Sequence, residues 1–147
     1  MIASVLIVCT GNMCRSPIAQ AIFIDKFKNL DLDVQVSSAG IAAVVDHAAD
    51  LRAQELSKSI GLNLTHHRAR QISSEIVFAA DLILVMSLIQ KKQVENLFTG
   101  VSGRVHRLGH WSGYDVPDPF NRPNVIYDQV LALIQQGVDE WICKLWK

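Results

Sequence analysis

The sequence predicts a single α/β domain, a four-stranded parallel sheet with helices on both faces and a ligand-holding loop after the first strand. Three observations carry this prediction. Short apolar runs rich in Val, Ile and Leu alternate with stretches of helical periodicity, a pattern that yields right-handed crossovers and a parallel sheet. The 147 residues, 50% of them hydrophobic, suffice for one core and leave little room for a second. The turn after the first apolar run is rich in groups suited to an anion, and ligands in such sheets lie beyond the carboxyl ends of the strands.

The elements follow in order. Ala3 to Val8 is the apolar run of a strand buried on both faces. Ser16-Pro17 then opens a helix to about Asn29, in which Ile18, Ala21, Ile22 and Phe27 recur at helical spacing. Val34 to Val36 reads as a second strand and Asp50 to Ile60 as a helix stopped by Gly61. Leu82 to Met86 is a third, buried strand, followed by a helix near Leu88 to Phe98 and a fourth strand at Val105 to Leu108. A long helix from about Pro123 to Trp146 closes the chain. With no repeat, low-complexity tract or linker, residues 1–147 read as one domain.

Composition excludes several classes of function. Fourteen basic and fourteen acidic side chains cancel, so no bulk field attracts a nucleic acid or an anionic membrane. The run His66-His67-Arg68-Ala69-Arg70 is too short to change that and reads as a solvated face. The opening Met-Ile-Ala-Ser-Val-Leu-Ile-Val lacks a basic leader, and no apolar run approaches the roughly 20 residues of a bilayer span, which predicts a cytoplasmic protein without membrane insertion. Three cysteines fit reduced thiols better than a disulfide framework, and no Cys/His spacing matches a zinc site, so neither metal nor cofactor is expected.

The chemistry is concentrated in Cys9-Thr10-Gly11-Asn12-Met13-Cys14-Arg15-Ser16-Pro17. Backbone N–H groups at a loop leading into a helix have no intrahelical partner and lie at the positive end of the helix dipole, so they attract an anion. Gly11 and Asn12 are residue types that tolerate left-handed backbone angles, which lets successive amides curl around a tetrahedral ion. Arg15 offers a planar fork to two phosphate oxygens. The same field stabilises negative charge on a sulfur at the loop's floor, with Ser16 placed to donate to it, which makes Cys9 the candidate nucleophile. The Gly-x-x-x-x-Gly-Lys-Ser/Thr pattern of nucleotide-type phosphate loops is missing.

This segment closely resembles the signature of the low-molecular-weight protein-tyrosine phosphatases. Ser37-Ser38-Ala39-Gly40, His67 to Gln71, Asp81 to Met86 and Asp118-Pro119-Phe120 resemble the family's later blocks, in its order and spacing. Leu108-Gly109-His110-Trp111 and Val116 to Phe120 look most like the bacterial branch associated with capsule and exopolysaccharide export. That resemblance implies a phosphotyrosine protein as substrate and a tyrosine autokinase as partner.

A phenolate leaves poorly because tyrosine's pKa is near 10, so a proton donor is required opposite the nucleophile. Asp118, stiffened between Pro117 and Pro119, matches the family's general acid, and Asp115 is its local rival. By resemblance, Thr10 to Cys14 and Ser16 contact the phosphate, Phe120 forms a wall for the substrate ring, and Asn12, Ser38 and His67 support the loop. On residue type alone, Phe120 reads as a core residue and His67 as a solvated surface histidine. No tyrosine occupies position 120 or 121, where eukaryotic relatives carry them. Cys14, five residues beyond Cys9, resembles the family's redox partner of the nucleophile; its alternative is a packing role beneath the loop. His47, His66, His106 and His110 receive no role, and the three tryptophans are assigned to packing.

Two other functions share parts of this pattern. An arsenate reductase would use the same cysteine but needs relay thiols, and Gly40 to Val138 contains no cysteine. A phosphotyrosine-binding module would keep Arg15 and the amide loop but has no use for both Cys9 and Asp118.

Overall fold

The computed structural model describes residues 1–146; Lys147, the last residue of the expected domain, lies outside the described residues. The chain runs β1 (Ser4–Cys9), α1 (Arg15–Asn29), β2 (Gln35–Gly40), α2 (Leu51–Ser59), α3 (Ser74–Ala79), β3 (Leu82–Val85), α4 (Leu88–Leu97), a 3-10 turn (Ser102–Arg104), β4 (Val105–Arg107) and α5 (Asn124–Leu145). It forms a single α/β domain. The four strands are parallel, in the order β2-β1-β3-β4. Because the chain goes from β1 to one side and then returns to the other, a crevice opens beyond the carboxyl end of β1.

Alternation along β1 builds two cores. Val5, Ile7 and Cys9 join Leu82, Leu84 and Met86 beneath α1, α2 and α5, which contribute Ile18, Phe23, Ala53, Ile134 and Val138. Leu6 and Val8 point the other way, with Ile83 and Val85, against Val77 of α3 and Val94 of α4. A strand buried on both faces therefore carries Cys9 at its end, and the rigidity of that position comes from packing on two sides.

Two differences from the sequence expectation have physical causes. The second strand continues past Val36 to Gly40, although Ser37-Ser38-Ala39-Gly40 has little intrinsic strand preference; pairing with β1 from Ser4–Gln35 to Cys9–Gly40 holds it. Helix α3 was not expected: at six residues it is too short to display periodicity, and its one local signal is the Ser73 hydroxyl accepting from Ile76 N at 3.3 Å. No helix among the described residues is long and apolar enough to cross a membrane.

Gly40 fixes the distance between β2 and the loop after β1. A Cβ there would lie 2.6 Å from the Thr10 carbonyl oxygen and 3.0 Å from Ala43 Cβ. The obstacle is backbone, which cannot rotate away. Gly40→Ala is therefore expected to destabilise the fold by about 1–3 kcal/mol, read as a lower urea midpoint; an unchanged midpoint would show that the loop has room to move.

Candidate active site

Between Cys9 and α1 every carbonyl has a partner on the outside of the loop. Cys9 O accepts from Ile41 N at 3.0 Å, Thr10 O from Ala42 N at 2.9 Å, Gly11 O from Val44 N at 3.2 Å, Met13 O from Asp50 N at 2.8 Å and Cys14 O from Ile18 N at 3.1 Å. Asn12 O is met by His67 Nε2 at 2.7 Å. A carbonyl only accepts, so the His67 proton is on Nε2. Burial lowers the His67 pKa from its ordinary value, with the Asn12 carbonyl opposing and Arg68 adding to the fall; the ring is neutral at pH 7. With the carbonyls held outward, the N–H groups of Thr10, Gly11, Asn12, Met13 and Cys14 have no backbone or side-chain acceptor among the described residues. They form an anion nest at the dipole end of α1.

Asn12 is the keystone of this curl. It is fully buried and left-handed, with φ 58, a conformation Asn tolerates better than most residues. Its Oδ1 accepts from Arg70 N at 2.9 Å, which orients the amide so that Nδ2 donates to Ser16 Oγ at 2.8 Å and Ser38 Oγ at 3.0 Å. Ser38 passes its own proton to Gln20 Oε1 at 2.6 Å. Since Ser16 Oγ accepts from Asn12, its hydroxyl proton is free to donate to Cys9 Sγ at 2.9 Å. Gly11 differs from expectation: its φ is not positive, and a Cβ there would make only ordinary contact with Val44 at 3.9 Å. The left-handed turn of the loop belongs to Asn12 alone.

Arg15 is buried at the first turn of α1, and one guanidinium nitrogen donates to Val116 O at 2.9 Å. That bond points the fork and ties it to the segment carrying Asp118. A cavity of about 390 Å³ brings together Cys9, Thr10, Gly11, Met13, Cys14 and Arg15 with Ala42, Val44, His47, Asp50, Asp118 and Phe120. Asp118 Oδ1 accepts from Phe120 N at 3.1 Å, and its other oxygen has no protein partner among the described residues. Asp115 is engaged elsewhere, paired with Arg107 at 3.0 Å and accepting from Leu88 N at 3.2 Å. Phe120 is 60% exposed at the rim, not a core residue.

Burial, the Asp50 carboxylate and Cys9 push the Cys14 thiol up, against the opposing Arg15 charge, so Cys14 stays protonated at neutral pH. Thr10 is held from α4, its Oγ1 accepting from Gln90 Nε2 at 3.1 Å while Gln90 Oε1 accepts from Met86 N at 2.8 Å. Gln90, His47, Val44 and Asp50 were not expected at the site. Each lies far in sequence from the cysteine loop, and only Asp50 had a local signal, its place at a helix start. Among the described residues no group of three or more His, Cys, Asp or Glu is arranged to hold a metal.

A nest of N–H groups, a fixed guanidinium and a sulfur held by a hydroxyl form a receptor for a tetrahedral dianion, with the Asp118 carboxylate lining the same cavity. The chain is similar to known proteins along nearly its whole length. The family model described as low molecular weight phosphotyrosine protein phosphatase matches residues 4–147. The probable phosphatase EpsP of Ralstonia solanacearum is 39% identical over 145 residues, covering 99% of this chain and 97% of the relative. The tyrosine phosphatase Wzb of Escherichia coli K30, solved with sulphate, superposes with a TM-score of 0.91 at 34% identity, covering 99% of each chain. Wzb of Vibrio vulnificus, solved with benzylphosphonate, gives 0.92 at 29% identity, covering 99% of this chain and all (100%) of that one. With a match that spans the chain and relatives of the capsule and exopolysaccharide branch among the most similar, this protein belongs to the low molecular weight protein-tyrosine phosphatases.

Proposed function

We propose that this phosphatase works through a phosphocysteine, with Cys9 as nucleophile, Arg15 as phosphate clamp and Asp118 as general acid and base. The observation that carries the reading is the convergence of the inward N–H groups, the Arg15 fork and the Cys9 sulfur on one cavity. In the first half-reaction the Cys9 thiolate forms an S–P bond as the P–O bond to the aryl oxygen breaks, and the Asp118 carboxyl gives its proton to the departing phenolate. In the second, water attacks phosphorus, Asp118 takes a proton from it, and the S–P bond breaks to release inorganic phosphate and the thiolate. Ser16 stabilises the sulfur anion at both ends of the cycle, and the fork follows the equatorial oxygens. The exposed ring of Phe120 and the side chain of Val44 give a phenyl ring an apolar passage.

The physiological substrate we propose is phosphotyrosine on a tyrosine autokinase of polysaccharide export, a reading supported by the resemblance of 108–111 and 116–120 to the capsule branch and by likeness to EpsP and Wzb.

Asp118→Asn tests the acid. The variant is expected to lose about 10²-fold or more in kcat/KM on phenyl phosphate and far less on 2,4-dinitrophenyl phosphate, whose leaving group departs without a proton. Equal losses on both esters would assign Asp118 to binding or folding.

A redox role for Cys14 is proposed alongside. Peroxide oxidises the Cys9 thiolate to a sulfenic acid, and the Cys14 thiol condenses with it to a disulfide, releasing water and stopping oxidation short of the sulfinic stage. After peroxide and then dithiothreitol, wild type is expected to recover activity and Cys14→Ser to remain inactive. Equal recovery, with no Cys9–Cys14 peptide by mass mapping, would return Cys14 to a packing role.

A further inference from the structure

The segment that carries Asp118 is short of anchors. At its start Val116 N donates to Met86 O at 2.8 Å, and Val116 O receives Arg15. Within it, Pro117 and Pro119 have no N–H, Phe120 N bonds back to Asp118, and Arg122 N closes a turn on Pro119 O at 2.9 Å with Asn121 left-handed at φ 59. Such a turn is stiff inside; Pro119 is buried, and the hydrogen bonds that tie the turn to the rest of the domain lie at its ends. At the far end, among the described residues, one side chain from another element hydrogen-bonds to it: Arg52 of α2 donates through Nη1 to the Arg122 carbonyl.

Arg52 is itself held. Its guanidinium carbon lies 4.9 Å from the centroid of the Tyr127 ring, a stacked cation–π contact. Tyr127 donates its hydroxyl to Asp50 Oδ2 at 2.7 Å, and Asp50 N in turn donates to the Met13 carbonyl at 2.8 Å. Tyr127 is 3% exposed, so this chain of contacts is built into the protein rather than laid on its surface. It links the phosphate loop to the end of the acid-bearing turn without passing through substrate.

From this arrangement we infer that Arg52 is a positioning residue for the reaction: it holds the Asp118 turn at the reach at which the carboxyl proton meets the leaving oxygen. The inference rests on the proposed role of Asp118. Proton transfer demands a heavy-atom separation of about 2.6–3.2 Å, so a turn held by Val116, by the packing of Pro119 and by α5 but without the Arg52 hydrogen bond spends less time in register, whereas phosphate binding, made by the loop and Arg15, does not depend on it.

The test uses Arg52→Ala and Arg52→Lys, alone and with Asp118→Asn. Lysine keeps the charge and the helix but cannot stack as a plane while donating sideways. Both single variants are expected to lower kcat/KM on phenyl phosphate about tenfold, to change it less than about twofold on 2,4-dinitrophenyl phosphate, and to leave the inhibition constant of inorganic phosphate unchanged. Added to Asp118→Asn they should cost nothing more, because no proton remains to be positioned. Equal losses on the two esters, no loss on either, or a further loss on top of Asp118→Asn would overturn the inference. If Asp118→Asn alone is selective for the poor leaving group and the Arg52 variants are not, Arg52 is removed and Asp118 stands; if Asp118→Asn is not selective, both fall.

Discussion

The polarity of six residues of backbone governs the rest of the molecule. From Cys9 to Cys14 each carbonyl is bonded, by Ile41, Ala42, Val44, His67, Asp50 and Ile18 in turn, and the N–H groups of Thr10 to Cys14 are left without a protein acceptor among the described residues. A single carbonyl turned inward would put a negative dipole where a phosphate oxygen must lie. The partners come from four parts of the chain, so the loop is shaped by the whole domain. The parallel pairing of β1 with β2 delivers residues 41–44 alongside it, and Gly40 lets them come close. His67 and Asp50 arrive from the loops on either side of α2.

Holding such a curl has a cost that Asn12 makes tolerable. A buried left-handed residue with an unsatisfied amide would be destabilised by both backbone strain and desolvation, each on the order of 1–3 kcal/mol. Here both Nδ2 protons and Oδ1 are used, and the network they make with Ser16, Ser38, Gln20 and Arg70 connects the loop to α1 and β2. Its last member is the Ser16 proton pointing at Cys9. Structural support and electrostatic stabilisation of the sulfur are thus one set of hydrogen bonds, and loosening the loop also removes the donor to the sulfur.

The parts of this arrangement legible in the sequence are those with local causes. The runs Val5 to Val8 of β1 and Leu82 to Val85 of β3 read as doubly buried strands because each of their residues is apolar, and α5 shows its periodicity over many turns. Arg15 and Cys9 are readable because the spacing, the helix start and the chemistry coincide in one segment. What escaped has non-local causes. Ser37 to Gly40 are strand only because β1 pairs with them, and α3 is too short for a period. Gly11 and Asn12 both read as residues that tolerate a left-handed backbone, yet of the two only Asn12 adopts it, where long-range bonds to Arg70 and Ser38 hold it. Gln90 reaches Thr10 across 80 positions, and Asp50 meets Tyr127 across 77. No local pattern encodes such meetings. The proline flanks and the family resemblance favour Asp118 over Asp115 in the sequence, and the fold adds what no local pattern encodes: Arg107 engages Asp115, which is not among the residues that line the cavity.

The central claim is that the backbone nest and Arg15 hold the phosphate while Cys9 alone supplies the nucleophile, so binding and chemistry separate at one atom. Calorimetric titration of Cys9→Ser with inorganic phosphate, alongside phosphate release from p-nitrophenyl phosphate, tests it most directly. Phosphate binding is expected to be retained and turnover abolished, since a serine hydroxyl keeps the loop's shape but is a poor nucleophile there. Turnover near that of wild type would contradict it, as would loss of phosphate binding in a variant that melts at the wild-type temperature.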